Sequence, residues 1–153
     1  MEVVKAVVFK HDADVKPLLE AFNQMVNECM AYALKNNISS PMRLEKALYD
    51  CFKQRYGFAT HYCISACRVA CGIIRSWRRL MKRGRADSNK LPTFKVSAMR
   101  LQKELTCFRG DKIVVTIKPY SWIEVPLIIG PYQRQFVEGR PVQDAGLRRT
   151  DIL

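Results

Sequence analysis

The hydrophobic pattern of this chain changes period once. In the first half, Val15, Leu18, Leu19, Phe22, Met25, Val26, Cys29, Met30, Ala33 and Leu34 recur at helical spacing, which is the stripe of an amphipathic helix docked on a core. Asp14 stands before it as a cap and Asn36-Asn37 supplies a stop. Ser40-Pro41 opens a second helix, with Ser as cap and Pro at the first helical position, where a missing N–H has no partner to lose. Leu44, Ala47, Leu48, Cys51 and Phe52 give this helix its buried side, and Gly57 ends it. A third helix is predicted from about Thr60 to Arg83, with Cys63, Cys67, Ala70, Ile74, Trp77 and Met81 as its seam. Three amphipathic helices on short links make a bundle.

Outside the bundle the pattern is that of strands. Val3 to Phe9 is rich in β-branched residues, and a lone strand must find a pairing partner elsewhere. The linker Gly84 to Pro92 is polar, begins with Gly and ends with Pro, as surface loops do. After it, strands are predicted at Thr93 to Met99, Glu104 to Phe108, Lys112 to Lys118, Ser121 to Ile129 and Gln135 to Glu138. Arg109-Gly110-Asp111 is a hairpin connection, whereas Pro119 and Pro126 mark edges or bends. The last eight residues carry no signal. The expected fold is α+β: a small antiparallel β-barrel or sheet with a three-helix bundle inserted after the first strand. In domain terms, residues 1–12 and 91–140 form the β part, 13–84 the bundle, 85–90 a basic loop and 141–153 a tail.

Charge changes this picture from a fold to a candidate function. The chain has 153 residues and a net charge of +12, and residues 68 to 109 alone hold twelve Lys or Arg against two acids, Asp87 and Glu104. Concentration of that kind calls for an anionic partner. Arg68, Arg75, Arg79 and Lys82 are spaced 7, 4 and 3 apart, so at ~100° per residue they share a narrow arc of the third helix, roughly opposite Ala70 and Trp77. The alternative is a merely solvated basic face. Against it stands the lack of acidic partners one turn away, which a helix made basic for solubility usually carries. The candidate nucleic-acid-binding residues are Arg68, Arg75, Arg78, Arg79, Lys82, Arg83, Arg85, Lys90, Phe94 and Lys95. Phe94 is included as a stacking contact for a base or sugar, with a core position as its alternative. Trp77, in phase with the seam, reads as core.

Catalytic and metal chemistry is thinly represented. Cys63, Cys67 and Cys71 fall at i, i+4, i+8, and none of the six cysteines forms a C-x-x-C pair, so small apolar residues in a tight seam explain them better than zinc or disulfides do. His11 and His61 are isolated, and the fourteen carboxylates are scattered. General-base work needs a partner within reach, and two-metal cleavage needs converging carboxylates. No phosphate-cradling glycine motif occurs. The reading is therefore a non-enzyme with no metal and no cofactor. With neither a long apolar run nor a leader, a cytoplasmic protein without membrane contact is expected.

Several of these features together resemble a known family. An opening strand with a Lys, a helical insertion ending in a basic helix, Pro92-Thr93-Phe94-Lys95, and a hairpin leading to Trp122-Ile123-Glu124-Val125-Pro126-Leu127 look like the N-terminal half of the TnpB/OrfB transposon-encoded proteins, in their archaeal branch. The resemblance covers residues 3 to 138. It implies a wedge-like β-barrel interrupted by a helical recognition lobe, holding guide RNA and its duplex with target DNA. Arg75, Arg79, Lys82, Phe94 and Lys95 would be the contacting positions. The family's RuvC-like nuclease domain and zinc ribbon have no counterpart here, so the resemblance implies a transposition-related module without cleavage activity, with RNA or DNA as partner and a separately encoded nuclease subunit as a further one. Two other readings stay open: a helix-turn-helix DNA-binding accessory turning at Gly57, and a protein-interaction module with an acidic partner.

Overall fold

A computed structural model describes residues 7–95, 98–137, 144–148 and 151–152. In order, the elements are β1 (Phe9–Lys10), α1 (Lys16–Lys35), α2 (Pro41–Tyr56), α3 (Thr60–Lys82), β2 (Ala98–Gln102), a 3-10 turn (Lys103–Leu105), β3 (Thr106–Arg109), β4 (Lys112–Lys118), β5 (Ser121–Pro126), α4 (Pro131–Val137), β6 (Asp144–Arg148) and β7 (Asp151–Ile152). The fold is α+β, with the helices inserted after the first strand. Residues 3–6 of the expected opening strand lie outside the described residues. No described helix is long and apolar enough to cross a membrane.

The three long helices begin and end where local chemistry requires. Asn37 takes a left-handed conformation (φ 51°). The Ile38 and Asn37 N–H groups then donate to the carbonyls of Ala33 and Leu34 at 2.9 and 3.4 Å, the paired bonds of a Schellman stop. Ser40 precedes Pro41 in extended backbone, and Gly57 closes α2 at φ 63° by donating to Lys53. At the end of α3, Gly84 (φ 65°) repeats the Schellman pattern: its N–H donates to Met81 at 3.0 Å and that of Arg85 to Leu80 at 2.9 Å.

The chain divides into two compact units, one comprising Met1–Leu19 and Ser97–Leu153, the other Glu20–Val96. The helical unit is built around Phe22, Met25, Val26, Cys29, Met30, Leu44, Phe52, Tyr62, Cys67 and Ala70, all essentially buried. Cys29 and Cys67 meet across the seam at 3.8 Å between sulfurs, and every cysteine is a free thiol, with only Cys51 and Cys107 exposed. On its flank, Glu28 accepts from Arg55 Nη1 at 2.6 Å and from the Tyr56 hydroxyl at 3.0 Å, tying α1 to α2.

The β unit holds two antiparallel sheets, ordered β1-β7-β6-β2 and β3-β4-β5. The opening strand does pair with the far end of the chain, Phe9 opposite Ile152. No closed barrel forms among the described residues. A barrel needs a continuous ladder, whereas the bridge between Lys10 and Ile128 is isolated. Two other expectations are corrected. Residues 93–95 are not strand, residues 96–97 lie outside the described residues, and β2 is described from Ala98. Over residues 135–137 the strand expected at Gln135 to Glu138 is replaced by α4, Glu138 lying outside the described residues: Gly130 caps the helix, Pro131 follows, and the Gln133 side chain reaches back to accept from the Gly130 N–H at 3.1 Å, half of a capping box. The C-terminal segment without a sequence signal supplies β6 and β7, with Ala145 and Leu147 buried on alternate positions.

Candidate nucleic-acid interface

The helical unit carries fourteen Lys or Arg against five acids. Along α3 the positions Cys71, Ile74, Arg75, Arg78 and Lys82 stack turn upon turn, because residues three and four apart share a helix face. The Schellman stop at Asn37 turns the chain sharply enough to lay Ile38 and Ser39 opposite this face. Between them lies an open groove of about 380 Å³, lined by Ile38, Ser39, Cys71, Ile74, Arg75, Arg78, Arg79 and Lys82. Its floor is apolar and its rim holds four cations. Arg78 Nη2 donates to Asn37 Oδ1 at 3.4 Å, which steers one guanidinium along the wall without neutralising it.

Among the described residues no carboxylate lies within ion-pair distance of Arg75, Arg78, Arg79 or Lys82; ion pairs elsewhere include those of Arg55 with Glu28, Lys112 with Glu124 and Arg134 with Asp111. Asp87, the one acid of the following loop, is engaged locally, accepting the Asn89 N–H at 2.9 Å in an Asx turn. Burial pushes the Cys71 thiol above its usual range, and Arg75 and Arg78 oppose that shift. Cys63 is raised chiefly by its hydrogen bond with Cys67, and Cys67 by its hydrogen bond with Cys29, which outweighs the opposing effect of Cys63; burial adds to both shifts. Thiols held neutral in this way pack as apolar groups and are poor nucleophiles.

Of the sequence-derived candidates, the groove gathers Arg75, Arg78, Arg79 and Lys82. Arg68 is exposed on the same helix, two turns before Arg75, and does not line it. Arg83 and Arg85 belong to the helix stop, and Lys90 and Lys95 are exposed on the segment that follows. Phe94 is placed differently. Its ring meets Phe22 edge-on at 6.4 Å between centroids. Its N–H donates to Asn27 Oδ1 at 2.8 Å, and its carbonyl accepts from Asn27 Nδ2 at 3.0 Å. A residue held this way serves the helical core, so its stacking role is set aside. Asn27, Ile38 and Ser39 were not among the candidates. The signal for Ile38 was an apolar residue directly after the Asn36-Asn37 stop, a position that such stops use for packing.

Comparison with other proteins replaces the expected family. The sequence profile of the Uncharacterized protein MJ0013 family matches residues 18–116, more than half of the chain. The chain is also similar to Uncharacterized protein MJ0752 of Methanocaldococcus jannaschii, 45% identical over 75 residues that make up 48% of this chain and 99% of that protein. These matches overturn the TnpB/OrfB assignment, and the guide RNA, the transposition role and the separate nuclease subunit lose the resemblance that implied them. The motifs behind it were short, and the Pro92 to Lys95 motif has a local explanation in the Asn27 clamp on Phe94.

Proposed function

We propose, for a chain that belongs to the Uncharacterized protein MJ0013 family, that the helical unit grips the phosphate backbone of a nucleic acid without catalysing a reaction on it. The observation that carries this reading is the groove with four cations on its rim and no carboxylate paired to them among the described residues. Guanidinium groups present forked donors that match phosphate oxygens. The apolar floor of Ile38, Cys71 and Ile74 suits the face of a sugar, and Ser39 offers a hydroxyl that can pair with a ribose 2′-OH. That favours RNA, or a duplex containing RNA, over DNA alone.

Filter binding of a structured RNA across a salt series tests the proposal. Four phosphate contacts should give a log-log slope of roughly −3 to −4. Reversing Arg75 and Arg79 together to Glu should abolish retention and leave the melting temperature within a few degrees, since both side chains are exposed. Retention that ignores salt, or that survives charge reversal, rejects it.

The helix-turn-helix alternative has less to draw on. In the first turns of α3, Tyr62, Cys63 and Ser65 are buried, and Tyr56, Phe58 and Tyr62 fill the turn with ring contacts. Arg68 is then the only cation near the start of the would-be recognition helix. Competition between structured RNA and duplex DNA separates the two readings.

A further inference from the structure

The second site is in the β unit and rests on different observations. Cross-strand register puts Thr116 beside Trp122, Val114 between Cys107 and Glu124, and Lys112 between Arg109 and Pro126. Partners directly opposite share a face of the sheet. The other face carries Thr106, Ile113, Val115 and Val125, all buried; on the first, the central Val114 is buried as well, but Cys107, Arg109, Lys112, Trp122, Glu124 and Pro126 around it are exposed, so that face is the outward one. Trp122 stands there 52% exposed, with Arg109 and Lys112 at the far end. Lys112 shares Glu124 at 3.3 Å, a surface pair with both partners about half exposed that an incoming anion can displace.

At the hairpin tip, Lys118 pairs with Ser121 after a register shift, leaving Pro119 and Tyr120 as the turn. Tyr120 has φ 63° and is 99% exposed. Glycine or asparagine is the ordinary occupant of such a position, since a bulky side chain strains the backbone there. A strained tyrosine that touches nothing in its own fold is an observation pointing to a ligand.

We propose that this face and tip form a stacking platform for single-stranded nucleic acid, in which Trp122 and Tyr120 take base faces and Arg109, Lys112 and Lys118 take phosphates. Unpaired bases are the ligand that uses both kinds of group. An acidic peptide would engage the cations and leave two aromatic rings idle. The inference does not depend on the helical groove, and it adds base contact to what would otherwise be backbone binding alone.

The test uses a labelled oligouridylate of roughly 4–16 nucleotides, the footprint range of single-strand-binding folds, read by anisotropy with the full chain. Trp122→Ala should weaken binding by about 5- to 100-fold, the loss of one stacked base. Tyr120→Gly should weaken it by a similar factor while raising the melting temperature, because glycine relieves the backbone. That opposition is the diagnostic, since a tyrosine with a structural role would lose stability on replacement. The Arg75→Glu, Arg79→Glu variant should still show Trp122 quenched by the oligonucleotide, so failure of the groove and failure of the platform are told apart. Unaltered affinity in both Trp122→Ala and Tyr120→Gly overturns the proposal, as does absence of oligonucleotide binding to the unmodified protein. In the latter case, sedimentation showing self-association lost in Trp122→Ala would assign the face to a second copy.

Discussion

Several buried side chains in this protein are held uncharged by their surroundings. Four of the six cysteines are buried free thiols, and those of Cys63, Cys67 and Cys71 are raised above the normal range. A thiol-specific reagent at neutral pH should therefore modify Cys51 and Cys107 quickly, and the other four only after denaturant is added; early labelling of Cys67 would show that the seam is open. The tyrosines follow the same logic. Burial, then the hydrogen bond to Glu28, pushes the Tyr56 hydroxyl up to about 12, and burial raises Tyr62 as well. A folded-state pKa above the unfolded value of 10 means that the native state holds its protons longer. The stabilisation is complete below pH 10 and declines as pH rises toward about 12. Thermal melts should fall across that interval, and Tyr56→Phe should flatten part of the decline.

At the scale of elements, termination signals did more than propensity. α1, α2 and α3 were legible because Asn36-Asn37, Ser40-Pro41, Gly57 and Gly84 punctuate a clear helical period. Gly84→Ala should cost about 1–2 kcal/mol, the left-handed penalty of an L-residue, since a Cβ there would meet nothing within 4 Å. Equilibrium denaturation measures it, and no change would mean that the stop survives without its glycine. The β half was read less well, for physical reasons. Gln135 and Phe136 look extended in isolation, but Gly130-Pro131 and the back-reaching Gln133 start a helix before them. β6, with the sequence Asp-Ala-Gly-Leu-Arg, is poor in strand formers and is a strand because β2 pairs with it. The groove was half legible: helical spacing put Arg75, Arg79 and Lys82 on one arc, whereas the loop residues opposite them meet that face only through tertiary packing.

For the whole molecule, the separation of charge matters more than its total. The helical unit is +9 and the β unit, with twelve Lys or Arg against nine acids, is +3, so with four phosphate contacts against three, salt should weaken the proposed groove contact somewhat more than the sheet platform. The two proposed contacts would then differ in kind, one electrostatic alone and the other electrostatic with base stacking added. A last consequence concerns synthesis. Phe9 and its ladder partner Ile152 lie 143 positions apart in the sequence. The helices can close locally while translation continues, but the opening strand must wait until its partner has been made. In a nascent chain stalled before Ile152, the helical unit can form while that strand stays unpaired, a ready target for chaperones and proteases.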